Sequence, residues 1–209
     1  MSSIARRGDH CSLNVDALID AFVRKINRSP KRRIREEDVP HPLREGGAEF
    51  GLYYRWTIQR FNHIPWITYL EAKLPQPLPP SYRSLVSRYI FPAFEINSLI
   101  LLANTGKTLY HEMTMAMAYD KVLSQVLLRN GYAQFARPHT GESDPVCFDL
   151  NRQGTDGECP IVRISHSMIV SNSQVKVTAK VAPSFLKFVD PYIRPTILTP
   201  KATPRPSKT

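Results

Sequence analysis

Asp144 to Ser165 reads DPVCFDLNRQGTDGECPIVRIS, two short apolar runs on either side of a turn rich in Gly, Asp and Asn. Val146, Phe148 and Leu150 alternate with Cys147 and Asp149, the period of a half-buried strand. Ile161 to Ile164 supplies its neighbour, and Asn151 to Glu158 the hairpin loop. Upstream, Asn130-Gly131 is a left-handed helix stop, and GYAQFARP (131–138) predicts another strand. Downstream, QVKVTAKV (174–181) predicts an edge strand whose Lys176 and Lys180 discourage further pairing. Pro183 and Ser184 then open a short helix carrying Phe185 and Phe188.

The same reading extends toward the N-terminus. Met115 to Leu128 predicts a continuous helix with Met117, Val122, Leu123, Val126 and Leu127 on its apolar face. Ala93–Ile96 and Leu99–Ala103 predict strands turning at Asn97 and Ser98, the second apolar on both faces and therefore central. Trp66, Ile67, Leu70 and Leu74 stripe a helix that stops at Pro75. A second helix begins near Ser81, with Tyr82, Leu85, Val86 and Tyr89 facing inward. Val15, Leu18, Ile19, Phe22, Val23 and Ile26 recur at helical spacing, and such a face is expected to complete a core. Asn27 to Pro42 mixes charge with proline and reads as a mobile linker. Helices first, strands in the middle and a closing helix define an α+β fold with a mainly antiparallel sheet and one inserted helix.

Taken together, DPVCFD, the second strand, APSFLKFV (182–189), LPQPLPPSYRSLV (74–86) and AFEINSLILLANTG (93–106) resemble the SUKH superfamily over most of residues 65–190. That superfamily includes fungal cell-wall assembly regulators of Smi/Knr type and bacterial toxin-immunity proteins. The resemblance implies a protein-binding module that acts by occupying a partner's surface. Ser165-His166-Ser167 departs from the family pattern, in which acidic residues flank the histidine. The expected organisation is a SUKH-like domain over 48–190, preceded by an amphipathic helix and charged linker in 1–47, which fall outside the resemblance, and followed by a Pro-rich basic tail, expected from its composition to be disordered, in 191–209.

Composition narrows the function classes. A chain of 209 residues with 42% hydrophobic and 22% charged residues can build a core without external staples. Cys11, Cys147 and Cys159 are an odd number without metal-site spacing, so a reducing cytoplasm is the expected setting. No apolar run has signal-peptide or membrane-spanning length, so neither secretion nor membrane insertion is expected. The net charge of +10 sits largely on the flanks: residues 1–47 carry 10 Lys and Arg against 7 Asp and Glu, and 187–209 carry 5 against 1. Solvated tails explain that distribution better than a nucleic-acid arm.

No catalytic pattern emerges. Asn104 to Thr108, NTGKT, ends like a phosphate loop but has Leu101 where the first glycine belongs. Asp149, Asn151 and Gln153 resemble half a calcium loop whose closing glutamate is replaced by Pro160. His111-Glu112 lacks the second histidine of a zinc-protease helix, and Cys147 lies in a strand as a buried thiol. No cofactor or metal is expected. Candidate partner contacts are the acidic set Glu142, Asp144, Asp149, Asp156 and Glu158, for which ordinary turn chemistry is the competing reading, and the aromatics Tyr53 and Trp56, for which core packing competes.

These readings converge on a non-enzymatic immunity protein that masks a cognate toxin domain. The alternatives are a regulatory scaffold of the cell-wall-regulator type and nucleic-acid binding through the basic flanks. Deletion of residues 1–42 is expected to be tolerated by an immunity protein and to abolish scaffold function.

Overall fold

In chain order the computed structural model runs from helix α1 (Asp9–Asn27) through β1 (Arg33–Arg35), β2 (Arg44–Glu49), β3 (Tyr53–Trp56) and β4 (Gln59–Arg60). Helices α2 (Ile64–Glu71) and α3 (Pro80–Arg88) follow, then β5 (Tyr89–Ile90), β6 (Phe94–Ile96) and β7 (Leu99–Leu101). A single turn, α4 (His111–Thr114), continues as a π-helical turn (Met115–Tyr119), and α5 (Leu123–Arg129) leads to β8 (Tyr132–Pro138), β9 (Val146–Asp149) and β10 (Ile161–Ile164). Helix α6 (His166–Asn172), β11 (Val177–Ala182) and α7 (Phe185–Ile193) come last. The structure describes residues 9–29, 33–35, 41–49, 53–62, 64–105, 111–140 and 143–194.

The protein is an α+β fold on a six-stranded sheet ordered β11-β10-β9-β8-β7-β6, an antiparallel meander in strict chain order. Its tightest connection is the β6–β7 hairpin, where Asn97 and Ser98 both adopt positive φ (49° and 62°). That is the two-residue turn whose twist matches the flanking strands. β7 is interior, second from one edge, while β8 and β9 hold the centre. Gly131, at φ 78°, lets the chain leave α5 and enter β8; a Cβ there would fall 2.2 Å from the Asn151 side chain.

The sheet is covered on both faces, which corrects the half-buried reading of β9. Phe148 and Val146 join the main core with Phe135, Tyr82 and Phe185, whereas Cys147 packs with Val162, Ile164, Leu127 and Ile169 under α5 and α6. All four residues of β9 are therefore buried. The segment expected as one helix over 115–128 is broken for the same reason. Met113 and Met117 enter the main core, and Leu127 the second one. Between them, Asp120 turns extended and its Oδ1 accepts from the Val122 and Leu123 amides, starting α5 afresh. Val122, read as part of the apolar face, is left 53% exposed.

The N-terminal helix belongs to this core. Ile19, Phe22, Val23 and Ile26 are buried among residues of α3 and α7, so a boundary at 47/48 does not separate α1 from the domain. Nor is Asn27 to Pro42 wholly a linker: β1 pairs with β3 in a small sheet ordered β1-β3-β2. α7 likewise runs past residue 190, with Tyr192 and Ile193 against the core. Residues 195–209 lie outside the described set.

Polar contacts hold α1 in register. Asn27 binds both backbone groups of Ile58, donating to its carbonyl at 2.9 Å and accepting from its amide at 2.8 Å. Asp20 accepts from the Tyr89 hydroxyl at 2.6 Å, from Arg88 at 2.5 Å and from Arg60 at 2.8 Å. Partial burial alone would raise the Asp20 carboxyl, but the Tyr89 hydrogen bond and Arg88 outweigh it and hold it below its ordinary value of 3.8. A carboxyl depressed in the folded state stabilises above the unfolded value and loses that contribution as pH falls through the folded one. Asp20→Asn is therefore expected to lower stability at neutral pH by about 2 kcal/mol, and to narrow its gap to the parent chain below pH of about 4. Urea midpoints across that range check it; a constant gap down to the acid limit would contradict the assignment.

Candidate functional site

The structure disperses the residues expected to meet a partner. Trp56 is 2% exposed and stacks at 5.4 Å on Phe94, so it serves the core rather than a surface. Tyr53, at the other end of β3, is exposed. Asp144 and Asp149 flank opposite ends of β9. Asp144 accepts from the His166 amide at the start of α6, while the buried Asp149 accepts from the Asn151 side chain and lies 3.5 Å from Arg152. Asp156 closes its own turn by accepting from the Glu158 amide. Glu158 reaches across 77 residues to accept from both the amide and the hydroxyl of Ser81, at 2.9 and 2.8 Å. It thus caps α3, whose first-turn amides need an external acceptor after Pro79 and Pro80. Glu142 lies outside the described residues. Asp144, Asp149, Asp156 and Glu158 are therefore each already engaged in turns, helix starts or a local ion pair.

Cys147 and Cys159 are buried thiols held in their protonated form, and the Cys11 side chain lies outside the described set. Burial pushes Cys147 well above the usual thiol range, and burial with the nearby carboxylates of Glu158 and Asp149 pushes Cys159 up to about 12. In the NTGKT stretch, Asn104 is buried and bridges backbone, accepting from the Phe91 amide and donating to the Tyr89 carbonyl. Residues 106–110 lie outside the described set. Among the described residues, no three His, Cys, Asp or Glu side chains form a group able to hold a metal ion, and no helix is long and apolar enough to cross a membrane.

An unforeseen cluster forms where α2 meets the π-helical turn. Tyr69 and Tyr119 are 49% and 41% exposed, yet their hydroxyls share a hydrogen bond of 2.9 Å across 50 residues of sequence. Lys73 lies over both rings, its Nζ 4.7 Å from the Tyr69 centroid and 5.2 Å from that of Tyr119. Trp66 stacks on Tyr69 at 5.5 Å, and Met115, 39% exposed, sits one turn from Tyr119.

Local sequence explains the display. The buried stripe of α2 is Ile67 and Leu70, which turns Tyr69 outward; the end of the helix at Glu71 lets Lys73 fold back over the rings. The π-helical bond from the Asp120 amide to the Met115 carbonyl, 2.7 Å, widens the turn beneath Tyr119. Met117 and Met113 anchor that turn in the core. The Tyr119 hydroxyl and then Lys73 hold the Tyr69 phenol below its ordinary range, while the Tyr119 and Tyr69 hydroxyls hold the Lys73 ammonium above its own. Lys73 therefore stays cationic through neutral pH.

Two exposed tyrosines and a methionine, residue types enriched at protein interfaces, are thus presented beside Lys73 by two elements anchored in one core of the α+β scaffold. No family model matches the chain, and no curated protein matches it.

Proposed function

We propose that this chain is a non-enzymatic protein-binding module, an immunity protein of the SUKH type that neutralises a toxin domain by masking its surface. The observation that carries the reading is the exposed Tyr69–Tyr119–Met115 patch. Large side chains with few rotatable bonds lose little entropy on contact, and covering them removes apolar area from water. The likeness of residues 65–190 to the SUKH pattern supplies the class of partner.

The test is co-expression with the C-terminal domain of a large secreted protein encoded in the neighbourhood of this gene. Survival of the cells and co-purification of the two chains are the expected results. Tyr69→Ala combined with Tyr119→Ala should abolish both while leaving the thermal midpoint within a few degrees, since exposed substitutions usually change stability by about 0.5 kcal/mol or less. Cell death in the presence of abundant folded protein would defeat the immunity reading.

A further inference from the structure

Resting on the protein-binding reading, the geometry points to the chemistry of the partner: we infer that the patch docks an acidic segment, one of whose carboxylates closes on Lys73 between the Tyr69 and Tyr119 hydroxyls. Three donor-bearing groups, two phenols and an ammonium, converge there. Among the described residues no carboxylate pairs with Lys73.

The two acids nearest in sequence are already engaged. Glu71 accepts from Arg83 Nε at 3.1 Å and from the Leu78 amide at 3.2 Å. Asp120 accepts from the Val122 and Leu123 amides at 2.9 and 2.6 Å. An ammonium carries three protons, and the two phenol oxygens beneath it accept at most two of them, which leaves a donor directed outward. The rings hold Lys73 in place by their quadrupoles without neutralising its charge.

The wider field acts in the same direction. Residues 48–186, which carry the patch, keep a positive excess of 13 Lys and Arg against 10 Asp and Glu, and the basic flanks add to it, so the field favours acidic surfaces. Lys121, exposed two residues beyond Tyr119, adds to the positive rim. A basic or phosphate-free apolar partner would cover the rings and leave the Lys73 ammonium desolvated without a counter-charge, an unfavourable arrangement. A second copy of this chain would bring another Lys73 and the same positive field to the contact.

The experiment is an NMR titration of the isotopically labelled full chain, at low ionic strength, with a blocked glutamate-rich peptide and separately with its lysine counterpart. Saturable shifts at Trp66–Lys73 and Met115–Tyr119 with the acidic peptide alone are expected. Lys73→Gln should weaken that binding about fivefold, the size of an exposed charge pair, and Lys73→Glu should remove it, both with unchanged thermal midpoints. Shifts confined to the basic flanks, or full binding by Lys73→Gln, would overturn the inference. Concentration-dependent shifts at the patch without peptide would assign it to a second copy and overturn it as well.

The two readings fail separately. If the toxin domain binds parent and Lys73→Glu chains equally, protein binding stands and the acidic assignment falls. If no toxin domain binds while the acidic peptide still titrates the patch, the immunity reading falls and the acidic site stands.

Discussion

Deletion of residues 1–29 is expected to leave a chain without a cooperative unfolding transition. That segment removes Ile19, Phe22, Val23 and Ile26 from the core, where all four are buried. At about 1.5–3 kcal/mol for each buried side chain, the loss totals about 6–12 kcal/mol, comparable to the entire stability of a typical domain, about 5–15 kcal/mol. It also strands Arg88 and Tyr89 without the Asp20 carboxylate. A graded companion is Phe22→Ala, whose ring meets Tyr192 edge-on at 6.0 Å, with an expected loss of about 3–5 kcal/mol. Circular dichroism melts and urea midpoints read both variants. A truncated chain melting cooperatively near the full-length midpoint would refute the docking of α1.

This changes what an N-terminal deletion can reveal. Removal of residues 1–42 was the expected discriminator between immunity protein and scaffold, but the deletion unfolds the domain under either reading. Substitutions at Arg24 and Lys25, exposed on α1, alter that flank without touching the core.

Phe148→Asp is expected to be at least as damaging. Phe148 has no exposure; its ring stacks on Phe135 at 4.1 Å and 17°, and lies 4.9 Å from Tyr82. Among the described residues the layer around Phe148 is aromatic, and its one polar group, the Tyr82 hydroxyl, contacts Met113 Sδ at 3.5 Å, so no cation is present to pair with a carboxylate. The substitution therefore loses the ring and buries an unpaired polar group, with a combined effect beyond about 5 kcal/mol. Phe148→Leu keeps most of the volume and should cost about 1–2 kcal/mol. Near-ultraviolet circular dichroism and urea midpoints distinguish the outcomes; a folded Phe148→Asp chain with the parental midpoint would rule out the aromatic layer described here. The unfolded variant is also the negative control for co-expression rescue.

Much of the fold was legible because its signals are local. Alternation located β9, the short apolar run after the Gly- and Asp-rich loop located β10, the Asn97-Ser98 pair marked a hairpin, and Asn130-Gly131 marked the end of α5 and the start of β8. The stripe Tyr82, Leu85 and Val86 identified the inward face of α3, all three being buried; Tyr89, expected to continue it, is buried but turns extended and begins β5. Misreadings fell where two demands compete. Met115 to Leu128 has helical periodicity throughout, yet it serves two faces of the sheet and breaks at Asp120. β9 read as a half-buried strand because the second core, contributed by α5 and α6, is invisible in β9 itself.

The candidate site was barely legible. Acidic residues near 140–158 drew attention by composition, but whether a carboxylate is available depends on what donates to it. Glu158 is occupied by Ser81 from 77 positions away, and Asp144 by the start of α6. Tyr69 and Tyr119 each look like ordinary surface residues until α2 and the π-helical turn bring their hydroxyls together across 50 positions. Sequence alone determined the α+β class and the six strands of the main sheet, because propensity, periodicity and turn chemistry act over a few neighbouring residues, whereas α6 (His166–Asn172) had no such signal. Tertiary structure decided what α1 packs against, that Glu158 and Asp144 are engaged at the starts of α3 and α6, and that a tyrosine–lysine patch faces outward, because burial and hydrogen-bond satisfaction depend on partners distant in the chain.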